Sequence, residues 1–239
     1  MKFFHHIKGQ ILEYCLIILV FVIPPIFSSP LSDAQTESGR FAPLSLPALV
    51  FYTIAAAFFY LRAGRAPDFR KKNGFFAIKN LFVPAFGMLL CYCALILSAL
   101  FWNYAAKVSG NTELPSLIFP QTFDKRLLLY ASAIVLASYE EMLFRFFLPE
   151  CGLAIIHDIA PESEKSKSGF VLKAAAETIP IVLFALAHRY LGLFAVGNAL
   201  CAAIILRLAL YKKLHIALLC AVHAAYNITI FIALSCMRS

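Results

Sequence analysis

The stretch Ala137-Ser-Tyr-Glu-Glu-Met-Leu-Phe-Arg-Phe-Phe-Leu148 sets two carboxylates and a guanidinium inside an apolar run from Leu127 to Pro149. A run of that length suits a membrane-spanning helix, which needs about 20 mostly apolar residues. Ionisable side chains are costly in hydrocarbon, and where they occur they face a bundle interior or a polar cavity. Glu141 and Arg145 are four residues apart, so they share a helix face and can pair. Glu140 is rotated from Glu141 by about 100° and points elsewhere. It has no cation in its own segment, so it needs a partner from another helix or its charged form is disfavoured. A carboxylate poised in this way is what a general base requires.

Outward from this run, the rest of the 239-residue chain has the same character. Hydrophobic residues make up 62% and charged residues 14%, too apolar for a water-soluble surface. Seven runs are long enough to predict spanning helices: Gln10–Phe27, Pro47–Leu61, Leu81–Trp102, Leu127–Pro149, Ala174–His188, Leu191–Tyr211 and Leu214–Cys236. The expected fold class is therefore all-α, a polytopic membrane helical bundle. Residues 1–124 read as generic membrane helices, and residues 125–239 carry the distinctive polar positions within one integral domain. The first run reads as a retained helix rather than a cleaved signal: it is long for a signal, Pro24-Pro25 interrupts it, and no A-x-A site follows.

The net charge of +8 lies in short tracts between apolar runs rather than on one soluble face. Nucleic acid is thus not an expected partner; the lipid bilayer is. The richest tract holds Arg62, Arg65, Arg70, Lys71, Lys72 and Lys79. By the positive-inside rule it predicts a cytoplasmic N-terminus and an external C-terminus. Residues 28–47 and 103–125 then read as external loops, and Pro161–Ser168 as a solvated loop. The seven cysteines sit mostly in apolar runs with no CxxC pair and read as buried structural thiols.

Three further clusters interrupt the later helices. Phe184 and His188 end the fifth run. His223 and Asn227 stack one turn apart in the last. Glu177 and Arg207 read as snorkelling or capping residues near membrane boundaries. Taken singly, each of these groups has a structural explanation as an ion pair or a helix–helix hydrogen bond. Taken together, two carboxylates, an arginine, two histidines and an asparagine on three apolar helices must converge.

No P-loop, GxGxxG, Ser/His/Asp or H-E-x-x-H motif is present. Two histidines and two glutamates could hold Zn²⁺, but Arg145 competes for a carboxylate and repels a cation, so a metal-free site is favoured and no cofactor is expected. The remaining chemistry is attack by water, with Glu140 and one histidine activating it. The other histidine and Asn227 would donate to the developing oxyanion, where one donor is worth about 3–4 kcal/mol of barrier.

E-E-x-x-x-R (Glu140, Glu141, Arg145), F-x-x-x-H (Phe184, His188) and H-x-x-x-N (His223, Asn227), in this order on late helices, resemble the CAAX protease and bacteriocin-processing family, which includes the type II CAAX prenyl endopeptidases. The resemblance covers residues 125–236. It implies a glutamic-type intramembrane endopeptidase acting on a peptide or protein substrate, lipidated or not, at a site open to the cytoplasm. Glu140 and His188 would activate water, His223 and Asn227 would form the oxyanion site, and Glu141 and Arg145 would support them. Many relatives carry glycine at helix-packing spacing before the last motif; here Gly192 and Gly197 stand in that region. The compact loops look like those of members in bacterial inner membranes. A silent binding or immunity protein and a proton-coupled transporter remain the alternatives, since intramembrane Glu and His also build proton relays. Counted from these helix ends, Glu140 and His223 lie nearer the cytoplasm and His188 nearer the outside; a fifth helix starting later than Ala174 would reconcile them.

Overall fold

A computed structural model of the chain describes residues 2–28, 43–63, 82–110, 120, 122–159 and 166–236. Helix α1 (Lys2–Ile17) continues through a π turn (Ile18–Val22) into a short helical end (Ile23–Phe27). Then follow α2 (Leu46–Ala63), α3 (Phe82–Val108) and α4 (Phe123–Glu140). A π segment, Glu141–Phe147, joins α4 to α5 (Leu148–Ile159). Helix α6 (Lys167–Ala187) turns through a 3₁₀ step, Arg189–Leu191, into α7 (Leu193–Tyr211), and α8 (Ile216–Cys236) ends the described chain. There is no strand among the described residues, and seven helical stretches are long and apolar enough to cross a membrane. The chain is an all-α, polytopic membrane bundle.

The seven expected runs correspond to the seven stretches, but their ends differ. The fourth is 37 residues long, from Phe123 to Ile159, or about 55 Å at 1.5 Å per residue. It runs ten residues past Pro149, because Leu148–Ile159 stays helical despite Glu150, His157 and Asp158. The fifth begins at Lys167, earlier than Ala174 rather than later, with Ser166 as its N-cap accepting the Gly169 N–H. Lys167 and Ser168 are therefore helical, whereas residues 161–165 of the expected loop lie outside the described residues. Helix α3 likewise extends to Val108, into the expected third loop. Most of the basic second tract, from Arg65 to Lys79, lies outside the described residues. Its first member, Arg62, is paired with Glu13 of α1 rather than left free in a loop.

These longer helices remove the depth conflict. From Glu140 to Ile159 the chain travels about 28 Å, and from Lys167 to His188 it returns about 32 Å along the neighbouring α6. His188 thus comes back to the level of the carboxylates. Both π turns have a visible cause. Ile18–Val22 ends two residues before Pro24, and Glu141–Phe147 ends two residues before Pro149. A proline has no N–H for the carbonyl four residues back, and its ring crowds that carbonyl. The preceding turn widens, and at Leu148 the N–H reaches five residues back to Leu143.

Helix α4 and the π segment lie between α2 on one side and α8 on the other; α7 packs against both α3 and α6. The α3–α7 contact depends on Gly197: a Cβ there would lie as close as 2.5 Å to the Trp102 ring. Trp102 is not free to swing away, since its indole N–H faces Cys201 Sγ at 3.4 Å and its ring packs edge-on against Phe101 and Phe194. Gly192 has a different task. At φ 99° it makes the reversal between the 3₁₀ step and α7, a conformation that glycine adopts without strain. All seven cysteines are free thiols. Overpacking a close helix contact costs about 1–3 kcal/mol, so Gly197→Leu should lower the melting temperature of the detergent-solubilised protein; a melting curve superimposable on wild type would show that this contact is not tight.

Candidate active site

Three of the buried polar groups meet at the start of the π segment. Glu141, with no exposed surface, accepts a hydrogen bond from His223 Nδ1–H at 2.8 Å across from α8. Arg145, 2% exposed, brings its guanidinium to 3.5 Å from the same Glu141 oxygen, one turn on. No hydrogen bond within the described residues satisfies the Arg145 nitrogens. Its charge is held by the carboxylate and by the face of Phe184, whose ring centroid lies 3.6 Å from the guanidinium carbon. A cation over an aromatic face gains more when both are desolvated.

Glu140, half-buried, points toward the other side of the His223 ring, with Oε2 at 3.7 Å from Nε2. That gap exceeds a hydrogen bond. With Nδ1–H committed to Glu141, His223 presents Nε2 toward Glu140. Thus the two adjacent carboxylates, rotated apart on the helix, address the two nitrogens of one imidazole.

His188 caps the C-terminus of α6. Its Nδ1–H donates to the Phe184 carbonyl at 2.9 Å, which leaves Nε2 available, and its ring lies 4.6 Å from that of Phe184. Phe184 also meets His223 edge-on at 6.4 Å and Phe144 at 5.4 Å. It is therefore the common wall of both histidines and the arginine, a role wider than the motif spacing suggested. His188 makes no ion pair with Glu140 or Glu141 among the described residues; the imidazole nearest Glu140 is His223. Asn227 is half-buried one turn past His223 on α8, and no hydrogen bond joins it to the other five residues.

Glu177 and Arg207 are not independent boundary residues. Arg207 Nε–H donates to Glu177 Oε2 at 2.6 Å, joining α7 to α6. The sequence grouped the two as boundary residues, but thirty positions of separation gave no sign that they touch. A third set, also missed, ties α3, α7 and α8: Ser98 donates to Asn198 Oδ1, and Asn198 donates to Tyr226 Oη, each at 2.9 Å.

Among the described residues no three His, Cys, Asp or Glu side chains gather as ligands would. Glu141 is committed to His223 and Arg145, and each histidine has one nitrogen already engaged.

What this defines is a multi-pass membrane protein with a buried carboxylate–imidazole–guanidinium site where its central helix is widened. Residues 122–229, just under half of the chain, match the family model Rce1-like, described as type II CAAX prenyl endopeptidase Rce1-like. Over that segment the chain is similar to the Rce1-like family of CAAX-type proteases, the class that its three motifs resemble. No curated protein and no solved structure matches it.

Removing one member of a buried ion pair costs about 3–5 kcal/mol because the other charge is stranded. Arg145→Met should accordingly destabilise the fold strongly. Arg145→Met combined with Glu141→Gln should melt measurably closer to wild type than Arg145→Met alone. A double variant no more stable than the single one would show that Glu141 does not depend on this cation.

Proposed function

We propose that the chain is an intramembrane endopeptidase that cleaves a peptide bond of a membrane-associated or lipidated substrate with water activated by Glu140. The observation that carries this reading is His223 held between Glu141 and Glu140, at 2.8 and 3.7 Å. The arrangement fixes a partly accessible carboxylate beside an oriented imidazole, inside a segment that matches a protease family.

In this reading Glu140 takes the proton of the attacking water, and His188, with Nε2 free, orients that water. His223 and Asn227 stabilise the oxyanion. To donate from Nε2 while donating Nδ1–H to Glu141, His223 must carry both protons, and the two carboxylates beside it supply the counter-charge. The water oxygen first bonds to the carbonyl carbon to give the oxyanion; the proton taken by Glu140 then passes to the leaving amine as the peptide C–N bond breaks and the carbonyl re-forms, and no cofactor is consumed. Glu141 and Arg145 do not touch the substrate; they hold His223 and each other. Helix Phe123–Glu140 would enter from the external side, with the chain's N-terminus cytoplasmic.

The test compares the termini of membrane peptides in cells carrying wild-type protein or Glu140→Gln, a change that keeps shape and removes the base. Loss of a general base costs about 10²–10⁴-fold in rate, so a discrete set of termini should disappear with the variant. Identical termini in both, with the cellular phenotype intact, would leave the polar cluster a binding site and end the hydrolase reading.

A further inference from the structure

Arg207 lies outside the three motifs, yet it reaches the π segment that carries the proposed site. Besides its ion pair with Glu177, it donates from Nη1 to the backbone carbonyl of Arg145 at 2.6 Å. That carbonyl is the one four residues before Pro149, and Pro149 has no N–H to offer it. A backbone carbonyl buried away from water costs free energy unless a donor is found. Here a charged side chain from another helix is that donor, and charge-assisted hydrogen bonds are the stronger kind.

The donor is itself held. Arg207 is only 13% exposed, and both Nε and Nη2 engage Glu177, which is 36% exposed. The chain of contacts therefore runs from Glu177 on α6, through Arg207 on α7, to the backbone of residue 145, one turn from Glu141. Two helices fasten the widened turn from outside, while Glu141 and His223 fasten it from within.

Resting on the protease reading above, we propose that Arg207, oriented by Glu177, is a positioning residue for the proposed active site. It supplies the hydrogen bond that Pro149 denies the Arg145 carbonyl, and thereby fixes the rotation of the π segment that aims Glu140 and Glu141 at His223. A rotation error here is transmitted directly to catalysis, since a misplacement of about 1 Å can cost 10²-fold in rate.

The experiment uses the full-length protein in detergent and a quenched fluorogenic peptide built on a terminus that Glu140→Gln abolishes. Arg207→Met should lower kcat at least tenfold, leave KM within twofold and lower the melting temperature by less than Arg145→Met does. Arg207→Lys, whose ammonium can still donate to the carbonyl, should recover at least a third of wild-type kcat. Glu177→Leu, which releases the guanidinium, should fall between Met and Lys at position 207. The proposal is overturned if Arg207→Met keeps kcat within twofold. It is equally overturned if Lys is no better than Met and both variants melt early, because the contact is then a staple of the fold. Should wild type and Glu140→Gln yield the same termini, the protease reading itself fails and takes this role with it; a cleaved peptide with an indifferent Arg207 leaves the protease standing and removes only the strap.

Discussion

The structure depends on keeping one wholly buried carboxylate charged inside an apolar bundle. Glu141 has no contact with solvent, and an isolated carboxylate in such surroundings would be neutralised rather than tolerated. Two partners from opposite directions meet it. His223 donates from α8, and Arg145 approaches from the next turn of the same helix. Each partner is in turn placed by Phe184 of α6, whose face covers the guanidinium and whose edge meets the imidazole. Three helices are thereby brought into one geometry by a single oxygen and a single ring. Such a polar core is weak evidence for stability, because well-packed apolar residues often do as well. Its more direct consequence is specificity: only one rotation of α4 and one of α8 brings the pair together.

That rotation is not one a regular α-helix provides. The π turn widens the helix over Glu141–Phe147, and such bulges are frequent at functional sites. Its origin lies downstream, in the crowding between Pro149 and the carbonyl of Arg145, and its upkeep lies on other helices, in Arg207 and Glu177. The same relation of π turn to proline recurs in α1, where Ile18–Val22 precedes Pro24-Pro25. There no charge is involved and the turn borders the apolar core through Val22. The proline explains the widening in both places; the carboxylates explain why only one of them carries a site.

The bundle was legible in the sequence because apolar length is a one-dimensional property: seven runs could be counted without knowing their neighbours. The polar set was legible for a related reason. A charge in hydrocarbon announces itself, and i,i+4 spacing fixes which charges share a face. What could not be read were properties set by distant parts of the chain. Leu148–Ile159 looked like a helix end because it contains Glu150, His157 and Asp158, yet burial against α1 and α6 keeps it helical. Glu177 and Arg207 were grouped only as boundary residues, and Arg62 only as part of a basic tract; packing is what pairs Arg207 with Glu177 and Arg62 with Glu13. The partner of Glu140 was open for the same reason, since either histidine was compatible with the spacing.

These long-range pairs share a logic with the site itself. Water cannot be relied on to satisfy polar groups at membrane depth, so a helix defect needs its missing partner from protein. A chain that opens its central helix beside two carboxylates therefore creates a second requirement, a donor for the carbonyl that the opening strands. Arg207 meets that requirement at the price of burying another charge, and Glu177 offsets that burial while keeping an edge exposed. The sequence of needs runs from Pro149 to the Arg145 carbonyl, to Arg207, to Glu177, and ends where a carboxylate is exposed enough to be hydrated. The polar residues around this site are thus ordered by depth: the fully desolvated ones hold one another, and the partly exposed ones, Glu140 and Glu177, stand at the two ends, one beside His223 and the other paired with Arg207.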